Sequence, residues 1–251
     1  MSAYTALARA NYRAYVRDQT TLFFTFAFPL LFLVVFGLIF SGQKVTPHGL
    51  NYIDYTAPGV LSWGVGNAAL FGVAFTMMHW RRDDILRLIW RTPAPLSAVL
   101  TSRYAIAVGV GLVQAVLFTA VAVLPPFRLH LSGSWPAGLP VLVLGVTAFL
   151  AMGLIVGSLA DTPEAVAAIA NCVMLPMAFL SGSFYPLALM PAWLRDVSRV
   201  LPLRYFNDGV LDAFSGQGGS SAFWLDCGAL AAFTVLFALV AAKTFRWSNG
   251  T

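Results

Sequence analysis

Six long apolar runs, at residues 22–40, 57–78, 104–124, 139–159, 165–180 and 222–242, limit what this chain can fold into. A helix needs roughly 20 mainly apolar residues to cross the hydrocarbon core of a bilayer, and these runs are of that order. They are also continuous, which selects helices over the alternating strands of about 10 residues that build a membrane barrel. Hydrophobic residues make up 59% of the 251 and charged ones only 10%, a balance foreign to soluble globular domains. The expected fold is an all-α membrane protein, a single transmembrane domain over residues 1–251 with six spanning helices. The fifth run is the shortest, and the sixth carries Asp226 near one end. The first run follows basic residues, as a signal peptide would. Its apolar part of about 19 residues exceeds the roughly 7–15 of a cleaved segment, and no small-x-small site follows, so it is expected to remain as an anchor.

Orientation follows from Lys and Arg. With the N-terminus cytoplasmic, the inner segments hold Arg9, Arg13, Arg17, Arg81, Arg82, Arg87, Arg91, Arg103, Lys243 and Arg246, against Lys44, Arg128, Arg195, Arg199 and Arg204 outside. Ten against five satisfies the positive-inside rule and places both termini in the cytoplasm. The net charge of +5 therefore reflects topology, and no soluble basic domain exists to grip a nucleic acid. The preference for Arg over Lys and the high Ala content point to a GC-rich bacterial genome, hence to a bacterial plasma membrane.

Three segments outside the runs are patterned. Residues 3–18, AYTALARANYRAYVRD, set Arg9, Arg13 and Arg17 four apart on one helical face with aromatic and apolar surface elsewhere. That pattern suits a helix lying in the membrane interface, over about residues 1–21. Residues 79–95, HWRRDDILRLIWRTPAP, crowd four arginines and two aspartates around a small ridge of Ile85, Leu88 and Ile89, closed by Thr92, Pro93 and Pro95. A merely solvated loop has little reason to combine an apolar ridge, two tryptophans and six charges. A surface that docks into a partner does, although the arginines also serve as topology anchors and the tryptophans as interfacial belt.

The segment 181–221 is long for a loop. Pro191 can open a helix striped by Trp193, Leu194, Val197, Val200 and Leu201, which Pro202 breaks. A second helical pattern follows, with Phe206, Val210, Ala213 and Phe214 on one side and Asp208 and Asp212 four apart. Both are too short to span, and the expectation is a pair of amphipathic helices dipping into or lying upon the outer leaflet.

Catalytic motifs are missing. No G-x-x-x-x-G-K-[ST], H-E-x-x-H or G-x-S-x-G occurs, and His48, His79 and His130 stand apart. The chain is expected to be no enzyme and to hold no cofactor or metal; any ATP is bound by another polypeptide. Cys172 and Cys227 fall in apolar runs and read as small buried hydrophobes. Polar interior residues are few: Asn67, Gln114 and Asn171 either tie helices together or line a substrate path, for which Asn67, Phe71, Phe75 and Asn171 are the candidates. The GLIVG at 153–157 permits close helix approach, and Pro29 and Pro176 are placed to bend their spans.

RRDDILRLIWRTPAPLSAVLTSRYA and SGSFYPLALMPAWLRDVSRVLPLRYFNDGVLDAF, set among six spans behind a basic amphipathic helix, resemble the membrane subunits of type-2 ABC exporters. That group includes drug-resistance permeases and polysaccharide or nodulation-factor exporters. The resemblance implies that two permease chains, identical or related, form the pathway in the lipid bilayer above two separate ATPase subunits that bind ATP and Mg. It further implies a coupling helix over about 79–95 that inserts into an ATPase groove, with Arg81, Arg82, Asp83, Asp84, Arg87, Arg91, Thr92 and Pro93 as its contact set. Arg9, Arg13 and Arg17 would belong to a connecting helix. Tyr185, Pro186, Pro191, Trp193, Pro202 and Tyr205 would form an outer gate. The charged turn has Asp83, Asp84 and Ile85 where the family often has a glycine and a glutamate, so the family's ionic contacts do not carry across one by one. Phe-rich spans with few polar handles suit an amphipathic or hydrophobic substrate, such as a drug, lipid or glycolipid-like molecule. The competing reading is an ATP-independent channel or a membrane scaffold.

Overall fold

Each apolar run becomes a helix in the computed structural model, which describes residues 19–40, 44–45, 50–83, 85, 96–216 and 219–244. The first helical stretch, α1, joins Gln19–Leu22, a π-wound turn Phe23–Ala27 and Phe28–Ile39. Pro29 has no N–H to give, and the preceding turn widens so that the Phe28 N–H reaches back to the Phe23 carbonyl. Two short antiparallel strands, β1 (Lys44–Val45) and β2 (Leu50–Asn51), lead into α2, Tyr52–Arg82. Then come α3 (Leu96–Val123), α4 (Gly138–Leu159), α5 (Pro163–Leu180), α6 (Ala192–Ser198), α7 (Pro202–Ser215) and α8 (Ser220–Thr244).

Local chemistry sets several boundaries. Thr162 caps α5, its side chain accepting the Ala165 N–H at 3.2 Å, and Pro163 fills the first helical position. At the end of α7, Gly216 takes φ 66°, a left-handed conformation that costs glycine nothing, and its N–H closes on Asp212 O at 2.9 Å.

Among the described residues five helices are long and apolar enough to cross a membrane, α2, α3, α4, α5 and α8, and Phe23–Ile39 is a shorter apolar helix. All six expected runs are therefore helical, and the chain is an all-α, multi-pass membrane protein. Burial separates an inner pair from a ring: 67% of the most apolar window of α2 and 56% of that of α4 are buried, against 28% for α3 and α5 and 22% for α8. The outward faces of the ring are apolar, with Phe24, Leu38, Val116, Phe179, Leu225 and Leu239 exposed, as lipid or a neighbouring chain requires.

The inner pair meets at backbone distance. A Cβ on Gly153 would lie 2.5 Å from the Leu70 carbonyl oxygen, and one on Gly157 would lie 2.6 Å from that of Ala74. The GLIVG motif is thus the groove in which α2 sits.

The segment between α5 and α8 departs from expectation in one respect. Helix α6 is peripheral, with Trp193 and Val197 exposed, as is Val200 just beyond its end. Helix α7 does not lie on a leaflet: it packs against α2, α4 and α8, burying Leu203, Phe206, Val210, Ala213 and Phe214. The Phe206 ring occupies the place where Gly145 of α4 has no side chain. Its apolar stripe was readable from sequence; that the stripe faces protein rather than lipid depends on the glycines of α4.

Gly153→Leu is expected to lower stability by roughly 2–3 kcal/mol, because the new side chain meets backbone that cannot yield. Gly72→Leu, where a Cβ meets nothing within 4 Å, should be near neutral. Thermal unfolding of both variants in detergent measures the difference.

Candidate functional site

The charged turn leaves from the C-terminal end of α2, and Arg81 there points into the protein. At 8% exposed, it donates from Nη1 to the carbonyls of Gly157 (3.2 Å), Ser158 (2.5 Å) and Ala160 (3.4 Å), and from Nη2 to Asp161 Oδ1 (3.2 Å). These carbonyls belong to the end of α4, where a helix leaves acceptors without partners and its dipole favours a cation. Arg81 therefore caps α4 and ties α2 to the turn that begins α5. Ser158 extends the corner, its hydroxyl donating to Ile155 O at 2.7 Å and meeting Thr244 Oγ1 of α8 at 3.3 Å.

The other foot of the turn is held differently. The Arg103 guanidinium of α3 lies 5.0 Å from the centre of the Trp80 ring, a cation–π contact across the base of the segment. His79 Nδ1 pairs with Phe75 O at 2.8 Å. Arg82 and Asp83 remain exposed beside these anchors. Asp84, Arg87, Arg91, Thr92 and Pro93 lie outside the described residues, as do Arg9, Arg13 and Arg17.

Among the candidate path residues, Asn67, Phe71 and Phe75 follow one another at four-residue spacing along a half-buried face of α2, the two rings 5.8 Å apart. Asn171 is exposed on α5. Neither asparagine has a side-chain hydrogen bond among the described residues, so neither ties helices together here. Gln114 is buried between Pro29 and Gly64, whose missing Cβ makes room for its amide.

The opposite end of the bundle is closed by α7 and the loop before it. Asn207 donates to Ser181 O and Ser183 Oγ, each at 2.9 Å, and Ser62 Oγ donates to Pro58 O at 2.9 Å while lying 3.4 Å from Phe206 O. Two tyrosines of α2 pin the loop: Tyr52 OH donates to Phe184 O at 3.0 Å, and Tyr55 OH accepts the Leu187 N–H at 3.2 Å. The Phe184 ring then stands among Phe32, Phe36, Trp63 and Phe179, with centroids 5.1–5.7 Å apart. Of the residues expected at a gate, Tyr185 and Trp193 are exposed, Pro202 is buried, and Tyr205 donates to Arg199 O at 2.7 Å. Asp208 is paired with Arg204 at 3.4 Å. Burial pushes its carboxyl up to about 6, with Arg204 pulling the other way and Asp212 adding to the rise.

Sequence reading did not single out Tyr52, Tyr55, Asn207 or Asp54. Asp54 is buried at the start of α2, where it accepts the His130 N–H at 2.9 Å and faces His130 Nδ1 at 3.3 Å. Its only sequence signal was an acidic residue one turn before an apolar run.

A ring of helices with apolar outward faces around a glycine-packed pair, with charged residues at one end and the packed helix α7 at the other, defines a multi-pass membrane protein. Residues 2–215 match the ABC-2 type transporter family, and the chain belongs to it. It is a membrane subunit of an ABC transporter, a class that works with an ATPase subunit. It is 26% identical over 221 residues to the inner membrane transport permease YadH of Escherichia coli K12, covering 88% of this chain and 85% of that one. It is 25% identical over 222 residues to nodulation protein J of Rhizobium meliloti, covering 84% and 81%.

Arg81→Ala is expected to lower stability by about 2–3 kcal/mol by leaving the carbonyls at the end of α4 without a donor. Arg82→Ala, at an exposed position, should change it by no more than about 0.5 kcal/mol. Thermal melts in detergent separate the two; equal shifts would contradict the role of Arg81 as the cap of α4.

Proposed function

We propose that this chain is the pathway-forming half of an ATP-driven exporter, moving an amphipathic or hydrophobic substrate (a drug, lipid or glycolipid-like molecule) from the cytoplasmic side outward. The observation that carries the reading is the anchoring of the charged turn at both feet, by Arg81 on α4 and by Arg103 over Trp80. A push on that turn would be delivered to α2, α4 and the start of α5 together rather than dissipated in a loose loop. Arg82, Asp83, Asp84, Arg87, Arg91, Thr92 and Pro93 are the face offered to an ATPase, and Arg81 positions that face. Arg9, Arg13 and Arg17 form the second contact.

On this reading α1 is a sixth span. Its pieces of 4, 5 and 12 residues run on without a break and reach about 30 Å at 1.5 Å per residue, enough for a hydrocarbon core. Both termini then lie in the cytoplasm of a bacterium, in keeping with the inner membrane in the name of YadH. Two such chains would enclose the path, with Asn67, Phe71, Phe75 and Asn171 facing substrate, and two ATPase subunits would bind ATP and Mg beneath. This chain supplies no catalytic group. Tyr185, Pro186, Pro191, Trp193, Pro202 and Tyr205 border the exit.

Alternating access follows from differential affinity. ATP can shift the permease between inward and outward states only if the ATPase dimer it closes grips the two states of the charged turn unequally.

Purification in mild detergent from the native membrane, with and without a non-hydrolysable ATP analogue, tests the assembly. The expected result is one P-loop ATPase per permease, lost or reduced about tenfold in Arg87→Glu while membrane insertion is unchanged. A folded preparation with no ATPase partner would favour the channel or scaffold reading instead.

A further inference from the structure

Gln114 lies well inside the spanning stretch Thr101–Val123 and is 2% exposed, yet neither atom of its amide has a hydrogen-bond partner among the described residues. Exchanging the amide nitrogen and oxygen changes nothing, because neither position is met. Away from water such a group carries its full desolvation cost, and a methionine of nearly the same length would fill the place without it. Local violations of this kind are expected at functional positions.

The amide faces an irregular part of α1. Gln114 Nε2 and Pro29 Cγ press on the same point, 2.7 and 2.8 Å from where a Cβ on Gly64 of α2 would stand. Pro29 is buried there, two residues beyond the end of the π-wound turn Phe23–Ala27. Because Pro29 brings no N–H, that turn has fewer donors than carbonyls to close. A widened turn beside a proline is where a helix bends, and π-wound turns recur at functional positions. Gly64 sets no side chain between the helices, so α1 can roll over this point without a knob to unlock.

A second buried donor goes unmet at the same contact. Trp63, next to Gly64 on α2, is 2% exposed, and its Nε1 has no partner among the described residues. Its ring stands against Phe28 and Phe32 of α1, with centroids 6.0 and 5.3 Å apart. Donors on α2 and α3 and a donor-poor turn on α1 thus share one contact without engaging.

We propose that Gln114 is the catch for a second position of α1, in which α1 turns about Pro29 and Gln114 Nε2 donates to a main-chain carbonyl of the turn Phe23–Ala27. The hydrogen bond absent here holds that other position, and the cost of the unmet amide here brings the two closer in free energy. Such a catch has a use only in the transport reading, on which it rests: α1 follows in sequence from Arg9, Arg13 and Arg17, the second contact proposed for the ATPase. A pull on that segment arrives at the Pro29 turn. Gln114 touches no substrate and is a positioning residue for the movement.

The test compares the full wild-type chain with Gln114→Met, by thermal melts in detergent and by fluorine NMR of 5-fluorotryptophan-labelled chain in nanodiscs with the ATPase that purifies with it. The Trp63 signal is assigned with Trp63→Phe. Gln114→Met should melt about 3 °C higher than wild type, because it removes an unmet amide. In wild type a non-hydrolysable ATP analogue should bring up a second Trp63 signal, and Gln114→Met should lower its share at least about fivefold, which a packing role alone would not do. An unchanged or lower melting temperature, or a variant that does not fold, overturns the proposal, since the amide would then have a partner, such as an enclosed water, in the position described here. A single Trp63 signal, identical with and without the analogue, overturns it without any variant, and so does a second signal that survives undiminished in Gln114→Met. The melts need no ATPase, so a chain that purifies without one removes the transport reading and leaves them to decide whether the amide is unmet. ATP-driven transport without a second Trp63 signal removes the catch alone.

Discussion

Everything in this molecule is arranged around the contact of α2 with α4. Lipid tails are as apolar as leucine, so the hydrophobic effect gives spanning helices little reason to prefer one another over the bilayer. What remains is close van der Waals contact, and Gly153 and Gly157 supply it by letting the α2 backbone at Leu70 and Ala74 approach within contact distance. The same device recurs at Gly145, which accepts Phe206, and at Gly59, whose Cβ would collide with the Ser183 backbone. The glycines thus place α7 and the loop that follows α5 as well as the central pair.

On that frame the two ends of the bundle are built with different chemistry. At the charged end, one buried guanidinium satisfies carbonyls that a helix terminus cannot satisfy itself, and a cation–π contact holds the opposite foot of the turn. At the other end, neutral hydrogen bonds from Tyr52, Asn207 and Ser62 fasten a re-entrant helix, and an aromatic cluster around Phe184 fills the space behind it. The first arrangement leaves charged residues facing outward from a fixed base. The second fastens α7 and the loop before it to α2 through uncharged groups. That asymmetry supports the proposed transport, driven from one side and opening at the other.

Much of this was legible in the sequence. Apolar run length carried the helices, because in lipid every backbone group must be satisfied within the segment. The GLIVG motif, the helix opening at Pro191 and the break at Pro202 were also readable, since each rests on local backbone chemistry. What could not be read was which way faces turn. Arg81 and Arg82 are adjacent and identical in type, yet one is buried against α4 and the other is exposed, a difference set by where α4 ends. The stripe of α7 pointed to an apolar surface without saying whether protein or lipid would cover it.

The central claim is that movement of substrate is driven through this chain by ATP bound elsewhere. Its most direct test is co-reconstitution with the ATPase that purifies with it, followed by assay of a fluorescent amphiphile across proteoliposomes. The account predicts ATP-dependent movement in one direction that stops when the ATPase is omitted or cannot hydrolyse ATP. Movement down a gradient by this chain alone, unaffected by ATP, would contradict it.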